Sequence, residues 1–205
     1  MSSDREAILG KAGAALAPLK ERAPLPDWNS ELVRLRSSQL AVDPVALFSE
    51  RMTAVNGTVM HSLVALVGML REGGWRRGYC DPAIWPRLQA AFVDGFTVET
   101  TFDRTRVDEY DFGITAATGA IAETGTLILS DAGTSSRLAA LAPWVHVAVL
   151  DPKTIHADIG AALAALPKDP NVIWVTGPSK TADIEGILIE GVHGPGVQVA
   201  LLVSM

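Results

Sequence analysis

Four short apolar runs in the second half of the chain are each bounded by turn residues: "GAIAETGTLILS" from Gly119, "WVHVAVLD" from Trp144, "NVIWVTG" from Asn171 and "VQVALLV" from Val197. Apolar runs of this length without regular polar alternation are covered on both sides, which predicts strands inside a sheet. Between the second and third runs lies "PKTIHADIGAALAAL", with proline directly after Asp151 and apolar residues at helical spacing, so a crossover helix is expected there. A strand–helix–strand unit implies parallel pairing. The fold class that follows is α/β: an open, Rossmann-like, mostly parallel sheet with helices on both faces.

The first half is organised differently. Residues 3–20 predict an amphipathic helix, and the proline-bearing "RAPLPDWNSE" predicts a linker. Asp43-Pro44 then reads as a helix start, with a capping carboxylate and proline at the first helical position, ahead of "PVALFSERMTAV". A turn at Asn56-Gly57, a short extended piece in "GTVMHSLVAL" and a helix near "ALVGMLREGG" follow. The expected organisation is an N-terminal helical arm and linker over 1–40 and one α/β domain over 41–205.

Composition removes several function classes. The chain has 205 residues and a net charge of −6 with no run of lysine or arginine, so the basic footprint of a nucleic-acid binder is missing. Five scattered tryptophans do not make a base-stacking platform. Cys80 is the single cysteine, which excludes an internal disulfide and any four-cysteine zinc or iron–sulfur site within one chain. No basic-then-apolar leader pattern opens the sequence and no apolar stretch reaches about 18 residues, so a cytoplasmic location is expected.

Three places carry groups capable of chemistry. In "AETGT", Glu123, Thr124, Gly125 and Thr126 sit between two apolar runs. A carboxylate at a strand end can serve as nucleophile or general base, and it can equally face solvent from a strand-connecting turn in which Gly125 supplies the unusual backbone angle. In "GPSKTADIE", Gly177 and Pro178 turn the chain, and Ser179 or Thr181 predicts the cap of a helix with Asp183 and Glu185 in its first turn. Free amides there, with Lys180 nearby, would also attract an anion. The phosphate-loop pattern is absent, because Trp174 and Ser179 stand where it needs glycine. In "IEGVHGPG", His193 lies close to Glu190 among glycines, placed either to move protons or to fix a turn. His61, His146 and His156 match no metal spacing and read as structural. "TFDRTRVDEYDFG" alternates in sign and reads as a solvated connection from which one arginine can reach a ligand anion. Arg76 and Arg77 beside Cys80 would lower its pKa, but no partner histidine is identifiable.

Taken together, "GITAATGAIAETGTLIL" (113–129) and "GPSKTADIEGILIEGVHGPG" (177–196), closed by "VQVALLV", resemble the lactate utilisation protein C family, the LUD domain. The matching pieces are Gly113-Ile114-Thr115, Ala122 to Thr126, Gly177 to Glu185 and Gly191 to Pro195. The resemblance implies a NagB/RpiA/CoA transferase-like fold. It also implies a part in oxidising L-lactate to pyruvate beside iron–sulfur partner subunits, with no cofactor in this chain itself. The alternative it leaves is a stand-alone isomerase or CoA-transfer enzyme acting on a small anionic, phosphorylated or CoA-linked substrate. Glu123 and His193 would then be catalytic, with Thr124, Gly125, Thr126, Gly177, Ser179, Lys180, Thr181, Asp183 and Glu185 binding the ligand.

Overall fold

The computed structural model describes residues 4–18, 43–131, 133, 136–166, 169, 171–182 and 187–204. The chain divides into two compact units, Met1–Leu35 and Arg36–Met205. In the first, helix α1 (Asp4–Leu16) has Asp4 and Glu6 in its first turn, where carboxylates oppose the positive end of the helix dipole. The expected linker "RAPLPDWNSE" lies outside the described residues.

The second unit begins at α2 (Pro44–Ala54), which starts where the sequence predicts: the Asp43 carboxylate accepts the Val45 N–H at 3.0 Å and proline fills the first position. Asn56, at φ 67°, turns the chain out of the helix, and the Gly57 N–H returns to the Met52 carbonyl at 2.8 Å. Strand β1 (Thr58–Met60) and helix α3 (Leu63–Glu72), capped by Ser62, follow. Next come β2 (Arg77–Cys80), the single-turn α4 (Trp85–Leu88), β3 (Thr97–Glu99) and β4 (Phe112–Ala116). A hairpin of β5 (Gly119–Ile121) and β6 (Thr126–Ser130) leads to α5 (Arg137–Leu141) and β7 (Val145–Leu150). The chain continues through β8 (Ile155–His156), α6 (Ile159–Ala165), β9 (Val172–Val175), β10 (Lys180–Ala182), β11 (Leu188–Glu190) and β12 (Val197–Leu202).

The main sheet has the order β1-β12-β7-β4-β2-β3, and every pair in it is parallel. Strand alternation sorts its side chains between two faces. Val145, Val147, Val149, Val199 and Leu201 pack with Leu66 and Leu70 of α3 and Leu88 of α4. Ala148, Leu150, Ala200 and Leu202 pack with Leu47, Phe48 and Met52 of α2, Ala140 of α5, and Leu127 and Leu129 of β6. Helices therefore cover both faces, as expected. A second, mixed sheet, β8-β5-β6-β9, shares the second of these layers and turns Ile121 and Ile128 outward to Ala162 of α6.

Three expectations need correction. The segment after β7 does not form a parallel strand–helix–strand unit: β7 is in the main sheet, whereas β9 pairs antiparallel with β6 in the mixed one. The helix is also shorter than its apolar pattern, because Asp158 caps it at Ile159 after two residues of strand β8. "NVIWVTG" is accordingly a half-exposed strand, with Trp174 36% accessible, rather than a buried one.

Candidate functional site

Chain order fixes where a ligand site is most easily built. From β2 the chain passes to β3 on one side, whereas from β4 it proceeds to β7 on the other. The carboxyl ends of β2 and β4 thus flank a switch point, the usual place for a ligand in an open parallel sheet. Asp81, directly after β2, is buried there; its N–H donates to the Ile114 carbonyl and its carboxylate accepts the Ala83 N–H at 2.9 Å. A cleft of about 920 Å³ opens between the residues that follow β3 and helix α5. Thr100, Thr101 and Arg104 form one wall and Ser136, Arg137 and Leu138 the other, with Tyr79 lining the cleft from β2.

An ionic network holds the first wall. Glu99, at the end of β3, accepts from Arg106 at 2.8 Å and from the Tyr110 hydroxyl at 2.8 Å, and it also pairs with Arg77. The Arg106 hydrogen bond, then that of Tyr110, keep the Glu99 carboxyl below its ordinary pKa. Hydrogen bonds from Thr105 and Arg106 hold Asp103 down to about 2. Phe102 stacks on Tyr110 at 4.8 Å between ring centroids and meets Tyr79 edge-on at 5.5 Å. The alternating charges expected as a solvated connection do remain partly exposed, and they are also tied to Glu99 and to one another.

The residues singled out in the sequence lie elsewhere. Glu123 and Thr124 occupy the β5–β6 hairpin turn, and the Glu123 carboxylate accepts the Ile159 N–H at 3.0 Å, helping to cap α6. Gly125, at φ 67°, brings the turn so close to α2 that a Cβ would run into the backbone of Arg51 and Met52. The Thr124, Thr126 and Thr176 hydroxyls form a chain, with steps of 2.7 and 2.8 Å.

The expected helix cap at Ser179 or Thr181 is overturned. Residues 180–182 form strand β10, which pairs antiparallel with β11, while Asp183 and Glu185 lie outside the described residues. Thr181 pairs opposite Ile189, and a β-branched pair suits a two-stranded ribbon better than a helix start. No helix amides are therefore present at 180–182 to hold an anion. Lys180 faces a different helix end: its ammonium donates to the Val55 carbonyl at 3.0 Å, just past α2, and lies 3.6 Å from Glu190. Asn56 donates to the same Glu190 at 2.7 Å. Gly177, at φ 74°, lets the chain pass the Val55 carbonyl, which a side chain would strike.

His193 is exposed at the opposite end of the main sheet from the cleft's switch point, beside the starts of β7 and β12. It lines a recess of about 490 Å³ with Trp75, Asp108, Asp111 and Trp144, and Glu123 is not among the lining residues. Ser179 donates its N–H to the Pro195 carbonyl and accepts the Gly191 N–H, both at 2.9 Å, so the two halves of this segment close on each other. Cys80 is also corrected. Burial, and then the neighbouring Asp81 charge, push its thiol up to about 12, while the side chain of Arg77 is engaged with Glu99. Among the described residues no group of three or more His, Cys, Asp or Glu converges to hold a metal ion.

The sequence profile of the LUD domain matches residues 87–203, a span containing β3 to β12, both glycine-rich segments and the cleft residues other than Tyr79. The chain belongs to the LUD-domain family. This LUD-domain chain is 32% identical over 119 residues to a protein of Deinococcus radiodurans named lactate utilization protein C, covering 56% of this chain and 55% of that one. It is 35% identical over 106 residues to the Bacillus licheniformis protein of the same name, covering 48% and 44%. It thus spans about half the length of these two curated relatives. An uncharacterized protein of Neisseria meningitidis serogroup B aligns at 28% identity over 98% of the LUD-domain chain and 94% of its own length. The crystal structure of a DUF162-family protein from Deinococcus radiodurans has the same fold, with a TM-score of 0.57 at 22% identity, covering 88% of this chain and 100% of that one.

Proposed function

We propose that this chain is the component of an L-lactate utilisation system that carries no redox centre, acting in the cytoplasm with iron–sulfur subunits that oxidise lactate to pyruvate. The observation that carries this reading is the similarity to proteins named lactate utilization protein C. Cys80 supports the division of labour: a lone, buried thiol kept protonated at neutral pH supplies no thiolate to a cluster. The β10–β11 ribbon supports a docking role. Its residues Leu188 and Ile189, with the flanking Ile187 and Val192, expose 45–56% of their surface, a clustering of aliphatic side chains common at protein contacts.

Deleting the gene tests the reading. The expected outcome is loss of growth on L-lactate with growth on pyruvate intact, restored by the wild-type chain and by Cys80→Ser. Normal growth on L-lactate in a strain without a second copy would overturn it. Leu188→Asp is expected to abolish co-purification with the iron–sulfur subunits while leaving the chain folded.

A further inference from the structure

We propose that the cleft between residues 100–104 and α5 binds an organic anion with an aromatic or branched apolar body, its head held by Arg104 and Arg137. The inference does not rest on the lactate reading.

Charge is the first ground. Arg77 and Arg106 are paired with Glu99 and Glu109, and Arg106 with Asp103 as well, whereas Arg104 has neither an ion-pair nor a hydrogen-bond partner among the described residues. Across the cleft, Arg137 is oriented by Asp131, which meets its Nε at 2.9 Å and leaves the other guanidinium N–H groups to donate. Among the described residues the charged lining is two arginines against one aspartate, an excess of positive charge. Thr100, Thr101 and Ser136 bring hydroxyls to the same space, the usual company of a guanidinium around a carboxylate or phosphate.

Shape is the second. Phe102 borders one side of the cleft, and Leu138, Leu141 and Ile173 line it further along. A volume of about 920 Å³ lies in the range of sites for drug-sized ligands and far exceeds what a small hydroxy acid fills. Position is the third. Thr100 and Thr101 directly follow β3, so the cleft is reached from a carboxyl end of the parallel sheet.

The full chain can be titrated with anilinonaphthalene sulfonate, a fluorescent aromatic anion, in a Leu188→Ser, Ile189→Ser background that reduces the competing apolar surface of the ribbon. Phenyl phosphate, benzoate, inorganic phosphate and L-lactate then serve as competitors. Phenyl phosphate or benzoate is expected to displace the probe, and which of the two is stronger reports whether the head is phosphate or carboxylate. Inorganic phosphate and L-lactate, which lack the body, should compete at least ~10-fold more weakly. Arg104→Gln should weaken the better competitor by ~10-fold or more, the loss expected of one charge-assisted contact. The proposal is overturned if Arg104→Gln leaves competition unchanged, if L-lactate competes as well as the aromatic anions, or if neither aromatic anion displaces the probe.

Discussion

The two glycine-rich segments and the cleft beside α5 use polar residues in opposite ways. In the segments the polar atoms are spent on the fold: Glu123 on α6, Lys180 on the carbonyl past α2, Ser179 on Pro195 and Gly191. Along the cleft wall the fold is held by Glu99, Arg77, Arg106 and Tyr110, and Arg104 is left over. A segment can thus be distinctive in sequence because its backbone geometry is demanding, while the arginine left without a partner among the described residues comes from a run of alternating charge outside both segments.

That contrast can be broken from either side. Gly125→Ala forces a side chain into the α2 backbone at a positive φ, and it should cost about 3 kcal/mol or more in denaturant unfolding. A variant of near wild-type stability would show that the turn is not fold-defining.

Acid comes next. His146 is buried in the main sheet, with Thr115 Oγ1 2.9 Å from Nε2 and Gln198 Oε1 2.8 Å from Nδ1, and burial draws its pKa from 6.5 down to about 4. Between those values the unfolded chain takes up a proton that the folded chain refuses. Stability is therefore intact above 6.5, falls as pH is lowered through that window, and stops changing on this account below about 4. The full effect is about 3 kcal/mol, with roughly 2 of it gone by about pH 5. Urea midpoints across this range test it, and His146→Gln should flatten the slope.

Removing the second carboxylate at the start of α6 with Glu123→Ala, which leaves the Asp158 cap in place, should cost about 1 kcal/mol, and Glu123→Gln less, because the amide oxygen still accepts the Ile159 N–H. Differential scanning calorimetry resolves the pair. The smallest effect belongs to the cleft: Arg104→Gln should move stability by less than about 0.5 kcal/mol while weakening anion binding. A large drop in its melting temperature would erase the distinction between the two regions.

What could be read in advance follows the same division. β7 and β12 are legible because strands covered on both faces are almost continuously apolar, interrupted here only by His146 and Gln198, and α2 is legible because Asp43-Pro44 states its own start. The misread places are those where tertiary pairing outweighs local signals. Ser179, Thr181, Asp183 and Glu185 spell a helix start, yet Thr181 is taken into a ribbon by Ile189. β9 has the composition of a buried strand but lies on the mixed sheet. Arg104 carried a signal in its run of alternating charge. Arg137 carried none, since α5 is a five-residue helix whose place beside the cleft depends on its packing over β4 and β7.

The position of β12 has a consequence for synthesis. It lies between β1 and β7, so residues 58–60 gain their partner in the main sheet only after residues 199–201 have been made. The central strands can assemble earlier, but β1 must wait until β12 has been made. Such long-range closure is slow and invites mispairing. Losing β12 would therefore do more than remove one strand: it would also take away the strand that β1 pairs with in the main sheet.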